Sequence, residues 1–578
     1  MNILLTAINA KYIHSNLAVY SLRACAGEYR DAVELAEYTI NNQKDYILEE
    51  LYKKKPDVLC FSCYIWNIDY VTDIAREYKK LCPSVPIWVG GPEVSYEVEA
   101  FLRENPYIDG VMIGEGEDTF RELCGYYAHK RKLSDIAGIA FRKNSTGNST
   151  SNRTSVNNAG CKADEIVFTS PRPIKNMSEI PFCYDTLDDF SNRIIYYESS
   201  RGCPFSCSYC LSSVDKTLRF RDTEIVKREL KFFIDQKVPQ IKFVDRTFNC
   251  NHAHAMELWR FIKANDNGVT NFHFEISADL LNQEELELIS DMRPGLIQLE
   301  IGVQSTNEVT IKEIHRTMKL ERLKEVVKLI QSGNNIHEHL DLIAGLPYED
   351  YDSFGRSFDE IYELKPNQLQ LGFLKVLKGS YMFEHAAEYG IVYHDKPPYE
   401  VMSTKWLSFD DVIKIKRVED MLEVYYNSGQ FEITMKLMEC IFNSAFEFFQ
   451  ELGDFYEANG YFGMSHSRIR RCEILLEFMA LYLHCHDSNA MTSVGLSENH
   501  GDRDNTDFDE NAQIYSMIQE SLIFDLYYRE NCKSRPKWAT DIGSFKHMTH
   551  AYCKNGKLSH VEPFHYVFPD KHTRKLDE

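Results

Sequence analysis

No run of apolar residues in this chain approaches the ~20 needed to cross a bilayer as a helix, so the sequence predicts no membrane span. A basic stretch followed by an apolar one is also missing at the N-terminus. Met1 to Thr6 reads as a first β-strand instead, which points to a cytoplasmic protein. Positive charge is short. Against 65 Lys and Arg stand 87 Asp and Glu, a formal charge of −22, which argues against broad adhesion to nucleic acid or anionic membrane. A locally basic groove is compatible with that balance, so a nucleic-acid substrate stays open. The 16 cysteines lack the spacing of a disulfide scaffold, and no zinc pattern is complete. Cys60 and Cys63 form a C-x2-C pair, but the run Asp57 to Tyr64 around them reads as a buried strand end.

One tight set of thiols remains. Cys203, Cys207 and Cys210 are spaced C-x3-C-x2-C, directly after the strand-like Ile194 to Tyr197, in a loop punctuated by Gly202 and Pro204. Three thiolates on one short loop can hold a cubane iron–sulfur cluster while leaving one iron without a protein ligand. A closed electron-transfer centre would ask for a fourth cysteine. An open iron asks for a chelating ligand.

At 578 residues the chain is too long for one core, and two to four domains are expected. Residues 1–142 alternate strand-like runs (Ile3 to Ile8, Val33 to Tyr38, Val58 to Ser62, Ile87 to Val89, Gly110 to Ile113) with helical stretches, an α/β pattern with a mostly parallel sheet. Ligands of such folds gather at the C-terminal strand ends, here the turns Asn9 to Asn16, Ser62 to Asn67, Gly90 to Glu93 and Gly114 to Glu117. Residues 143–192 read as a hairpin with a flexible tip, Lys143 to Gly160 being almost without apolar side chains, followed by a proline-marked connector. Residues 193–400 alternate again, with strands at Gln240 to Val244, Asn271 to Ile276, Leu296 to Val303, His339 to Ala344 and Gln368 to Phe373. Polar residues recur at their ends, which predicts a full or partial β/α barrel. Residues 401–578 predict a mostly helical domain, with helices over Val412 to Tyr426, Thr434 to Gln450 and Cys472 to His484. Its tail is basic, and either a phosphate site or a solvated face fits that composition. His547, His550, Cys553 and His560 are only loosely spaced like metal ligands.

The C-x3-C-x2-C loop with Tyr209 before its last cysteine resembles the cluster loop of the radical S-adenosylmethionine (SAM) enzymes. The four N-terminal turns resemble the cobalamin-binding domain that precedes many of them. The resemblance implies an α/β architecture: a Rossmann-like cobalamin domain, a central partial TIM-like barrel and a mostly helical C-terminal domain of unknown function. It implies a [4Fe-4S] cluster on Cys203, Cys207 and Cys210, with SAM chelating the open iron. SAM contacts would come from Phe205, Tyr209, Asp245, Glu275, Glu300, Gln304, Arg316 and Gly345, the last in the turn Gly345-Leu346-Pro347. Cobalamin contacts would come from Asn9, Lys11, His14, Ser62, Tyr64, Gly90, Gly91, Pro92, Glu93, Gly114, Glu115 and Gly116. The family's cobalamin loop after the first strand is D-x-H-x-x-G. Here it is Asn9-Ala10-Lys11-Tyr12-Ile13-His14, with no histidine in the ligand slot, so a bound cobalt is expected to lack a protein histidine below it.

The implied partner is a low-potential electron donor of flavodoxin or ferredoxin type. The leading reading is a cobalamin-dependent radical methyltransferase acting on an unactivated carbon. Two others stand beside it: a cobalamin-dependent rearrangement or cyclisation without methyl transfer, and a non-catalytic iron–sulfur redox or assembly protein. The sequence does not identify the substrate.

Overall fold

The computed structural model describes residues 1–143, 165–485, 510–529 and 535–539, with the backbone of 549–554, 557–563 and 573–575. Most of the loop expected over 143–160, and His547 in the basic tail, lie outside the described residues. The side chains of His550, Cys553 and His560 lie outside them as well.

The first domain is a seven-stranded sheet in the order β2-β1-β3-β4-β5-β6-β7. Its strands are β1 (Ile3–Asn9), β2 (Val33–Thr39), β3 (Val58–Ser62), β4 (Ile87–Gly90), β5 (Gly110–Met112), β6 (Ile139–Arg142) and β7 (Ile166–Phe168). The first five are parallel, and β6 and β7 are antiparallel additions. Alternate residues of the strands enter two separate cores. Leu4, Ile8, Leu59, Phe61 and Val89 pack on one face, and Ile3, Leu5, Ala7, Cys60 and Trp88 on the other. That double burial is why these strands read as unbroken apolar runs. Cys60 is core, as expected. The boundary expected at residue 142 falls inside this sheet, because the predicted hairpin completes the domain rather than linking it to the next.

The second sheet is parallel, in the order β15-β14-β13-β12-β11-β8. It comprises β8 (Ile195–Tyr197), β11 (Gln240–Phe243), β12 (Asn271–Ile276), β13 (Ile297–Gln304), β14 (His337–Ala344) and β15 (Gln368–Phe373). Between β8 and β11 a two-stranded ribbon, β9 (Ser200–Arg201) and β10 (Arg219–Phe220), pairs antiparallel. Helices cross between the strands and cover the outer face. They begin at recognisable caps, Asp222 before Thr223–Asp235 and an Asn282/Glu285 capping box before Gln283–Ser290. The result is a six-stranded partial barrel, as predicted.

The C-terminal region is mainly helical, with a three-stranded sheet at Thr549–Lys554, Lys557–Pro563 and Thr573–Lys575. The single helix expected over 434–450 is two, Glu432–Ile441 and Ala445–Ala458. Phe442 turns extended and the Ser444 side chain caps the second helix. The region continues the barrel's core: Tyr351 donates to Gln450 at 2.5 Å, and Phe446 N–H donates to Asp359 at 2.8 Å.

The turn after β4 is the tightest backbone approach in the first domain. Gly91 has φ +121°, and a Cβ there would lie 2.4 Å from the Cys63 carbonyl oxygen. Gly91→Ala is therefore expected to cost about 1–3 kcal/mol and to lower the thermal midpoint by several degrees. An unchanged melting curve would show that the two turns separate freely.

Candidate cofactor site

The cluster loop is an excursion from the β9–β10 ribbon. Arg201 and Arg219 face each other across its base, and Gly202 bends the chain at φ +86°, where a Cβ would lie 2.6 Å from the Thr217 carbonyl. Cys203 and Cys207 are buried and Cys210 is half-buried, all as free thiols. Burial pushes the Cys203 thiol up, and its sulfur sits 3.8 Å from Thr247 Oγ1. Arg316 donates to Gly302 O, to Tyr209 Oη at 3.2 Å and toward Cys207 Sγ at 3.8 Å. Among the described residues no three His, Cys, Asp or Glu side chains converge on a single ion. A cubane asks for something else, one thiolate at each of three separate corners. A cation beside Cys207 and a hydroxyl beside Cys203 suit the negative charge such a cluster carries, so the residues fit it.

The inner face of the barrel carries polar side chains in three successive rows. Parallel register aligns Tyr196, Lys242, His273, Gln298 and His337, then Glu275, Glu300, His339 and Gln368, then Gly302, Asp341 and Gln370. The intervening residues, such as Phe243, Phe274, Leu299, Ile301 and Leu340, go to the outer core. Lys242 and His273 bond Glu300 at 2.9 and 2.8 Å. Burial pushes the Glu300 carboxyl up, but those two partners outweigh it and hold it at about 2. Burial, with Glu300 alongside, raises Glu275 to about 7. His339 Nε2 lies 3.0 Å from Asp341 Oδ1, and the two pair when the histidine is protonated; Gln304 Oε1 is buried without a hydrogen-bond partner.

The expected SAM residues thus divide. Glu275 and Gln304 keep acceptor capacity at the upper strand ends. Glu300 is occupied by Lys242 and His273. Asp245 is fully buried and accepts from Ser199 N, Ser199 Oγ and Ser200 Oγ at 2.8, 2.6 and 2.6 Å. Burial raises it to about 6. That carboxylate orders the chain leading into the cluster loop and is not free at the mouth, a correction to the sequence reading. Phe205 is half-buried in the loop. Gly345 has φ +87°, and a Cβ there would press on Val401 at 2.7 Å.

The two sheets meet around a cavity of about 760 Å³. Its walls include Asn9, His14, Ser62, Tyr64, Gly90, Gly91, Pro92, Gly114, Glu115 and Gly116 from the first domain, and Tyr196, Glu198, Arg201 and Arg246 from the second. Two expected residues stand outside that wall. Lys11 is exposed, and the Glu93 carboxylate accepts from Tyr399. Glu115 lines the wall, but its carboxylate is held by Arg219 at 2.6 Å, with Arg201 3.6 Å away. Arg201 also pairs with Glu117 and, at 2.9 Å, with Glu198. His14 shares a hydrogen bond with Tyr196 Oη at 2.7 Å through Nδ1, and burial, with Lys11 and Lys242, lowers its pKa. The turn bearing it docks on the free edge of β8, Ile194 N–H donating to Ile13 O at 2.8 Å and Ser15 Oγ to Ile194 O at 2.9 Å. Open space in front of Gly114, together with a stacked Tyr64/Trp66 pair whose Trp66 is 41% exposed, leaves room for a large planar group. The residues fit cobalamin. Trp66, Arg201, Arg219 and the inner-face histidines were not anticipated. The period-two alternation in His273 to Ile276 and His337 to Leu342 carried the signal for the histidines.

A parallel α/β domain set against a partial barrel with a three-cysteine loop defines the class. Family models agree along the chain: a B12 binding domain at residues 3–124, the radical SAM superfamily at 197–361 and a protein family of unknown function (DUF4080) at 387–575. The three matches together are the domain order of a cobalamin-binding radical SAM protein with an additional C-terminal domain, and its cofactors are cobalamin, a [4Fe-4S] cluster and SAM. It is 28% identical over 364 residues to the cobalamin-dependent radical SAM methyltransferase TokK of Streptomyces tokunonensis, covering 59% of this chain and 49% of that protein. It is 24% identical to an uncharacterised methyltransferase of Pyrococcus horikoshii, over 63% of this chain and 75% of that one. The chain thus spans about half the length of the first relative. In fold it matches the cobalamin-dependent SAM radical enzyme OxsB with a TM-score of 0.58 at 15% identity, over 90% of this chain and 80% of that one. No helix among the described residues is long and apolar enough to cross a membrane.

Glu275 generates a pH prediction. Its carboxyl sits at about 7 in the fold against roughly 4.3 in an unfolded chain. Its contribution to stability is therefore complete below the unfolded value and lost as pH rises through about 7. Glu275→Gln should gain on the wild type between about pH 5 and pH 8 in urea unfolding, by on the order of 1–3 kcal/mol. A difference independent of pH would contradict the assignment.

Proposed function

We propose that this protein is a cobalamin-dependent radical SAM methyltransferase acting on an unactivated carbon of a polar substrate. The observation that carries the reading is the single cavity, onto which the first domain's glycine turns and the ribbon bearing the three thiols both open. When bound, the cluster with SAM would supply hydrogen abstraction, and cobalamin a transferable methyl group.

The chain's own part is placement and exclusion of water. Cys203, Cys207 and Cys210 would hold the cluster, with Arg316 offsetting charge beside Cys207. Glu275 and Gln304 offer acceptors for amino or hydroxyl hydrogens of a ligand at the strand ends. The rows below, with Lys242, His273, His339 and Asp341, favour a substrate rich in hydrogen-bonding groups over a lipid, since an apolar ligand would strand these groups unsolvated. TokK and the Pyrococcus relative, both methyltransferases by name, support methyl transfer.

The test is anaerobic turnover with SAM carrying a labelled methyl group. Cys203→Ala, Cys207→Ala or Cys210→Ala should each abolish reductive SAM cleavage. Cys250→Ser should keep it, although Cys250 lies near enough for the charge of Cys203 to raise its pKa, after burial. Cleavage surviving the loss of Cys203 would sink the cluster assignment. Deoxyadenosine formed without methylated product would move the reading to rearrangement or cyclisation.

A further inference from the structure

The turn Gly90 to Glu93 and the turn Gly345-Leu346-Pro347 belong to different domains, yet one short segment touches both. It lies at the start of the C-terminal family match, in a hairpin that pairs Val392–Tyr393 with Val401–Ser403. None of its residues lines the cavity. Tyr399 is buried and its hydroxyl donates to the Glu93 carboxylate. Val401, on the same strap, is buried against Gly345, where a Cβ would lie 2.7 Å from its side chain. Glu93 is therefore an anchor of the cobalamin-side turn rather than a contact of the cavity.

The strap is pinned to the chain that leaves the last barrel strand. Val401 N–H donates to Leu374 O at 2.8 Å, and Val376 N–H donates to Tyr399 O at 3.0 Å. Leu374 N–H donates in turn to Ala344 O at 2.9 Å, beside Gly345. The same stretch of chain reaches the first domain again. Lys378 Nζ lies 5.4 Å from the centre of the Tyr399 ring. The Tyr96 ring, which lines the cavity, rests on Gly379 and leaves no room there for a Cβ. Tyr399 has φ +56°, a region that bulky residues rarely adopt. Such conformations persist where the surrounding structure holds them, and they gather at functional sites.

We propose that this strap is a positioning element shared by the two cofactor sites. Tyr399 sets the Gly90 to Glu93 turn for cobalamin, Val401 sets the Gly345 turn for SAM, and binding at either site favours binding at the other. The proposal rests on the cobalamin and SAM assignments and not on methyl transfer. Both contacts are buried on one short, pinned segment, so a shift of either turn is passed to the other through packed groups. It also gives the start of the C-terminal domain a task.

The experiment uses the full-length protein with its cluster reconstituted. Hydroxocobalamin is titrated by its visible absorbance with and without saturating SAM, and SAM by equilibrium dialysis with and without hydroxocobalamin. In the wild type each should tighten the other by the same factor, about fivefold or more. Tyr399→Phe keeps the ring and loses the hydroxyl, and its factor should fall below about twofold. Val401→Ala should lower the factor as much while leaving hydroxocobalamin affinity in the absence of SAM unchanged, which a merely local role at the Glu93 turn would not produce. A factor that survives both substitutions overturns the proposal. If Tyr399→Phe unfolds or loses both cofactors, Val401→Ala decides, an unchanged factor again overturning it. A wild type that binds both cofactors independently fells the strap alone. One that binds neither fells the cofactor assignment, and the strap with it.

Discussion

The architecture depends on one group of charges, Arg201 and Arg219 against Glu115 and Glu117. The arginines stand opposite each other at the base of the cluster loop, and the glutamates belong to the turn and first helical residue after the last parallel strand of the first domain. Arg201 and Glu117 are largely buried, where an unpaired charge is costly and breaking a pair typically costs about 3–5 kcal/mol. Such a group adds little net stability over an apolar contact, but it permits few alternative geometries. It sets where the thiol loop sits relative to the glycine turns, and the ribbon at the base of that loop lines one cavity with those turns. The β8 edge adds a second tie, since the turn after β1 pairs with Ile194.

Most barrels fill their interior with branched aliphatic residues. Here the inner rows carry Lys242, three histidines, three carboxylates and several glutamines, a face that would be unstable if dry and unpaired. Pairing removes part of the cost at Lys242–Glu300–His273. His339 and Asp341 pair with each other, and the atom left over at Gln304 marks where a ligand would complete the network. Stability is given up at the strand ends and recovered in the outer core, which runs on into the C-terminal helices.

Much of this was legible in the chain. The strands over Asn271–Ile276 and Gln368–Phe373 fall where the apolar pattern places them, because period and burial agree there. The cluster loop declares itself by spacing. What could not be read was direction over distance. Asp245 and Glu115 both looked like mouth residues, yet one is turned inward to two serines and the other is held by arginines about a hundred residues away in sequence. Helix Glu510–Arg529 escaped notice because it is buried on several sides, from Ile514 to Tyr527, and so shows no apolar stripe. The break at Phe442 to Ser444 was masked by apolar residues on both sides, although Asn443-Ser444 is a start signal for a helix.

Metal content after anaerobic reconstitution with iron, sulfide and hydroxocobalamin tests the central claim most directly, read beside the visible spectrum of the bound corrinoid. The account predicts about four irons per chain, cobalt in equal amount with the protein, and a spectrum lacking a histidine below the metal, as the loop from Asn9 to His14 implies. Iron bound without cobalt would contradict it. The cavity would then belong to the radical core alone, and methyl transfer from cobalamin would have no place in this protein.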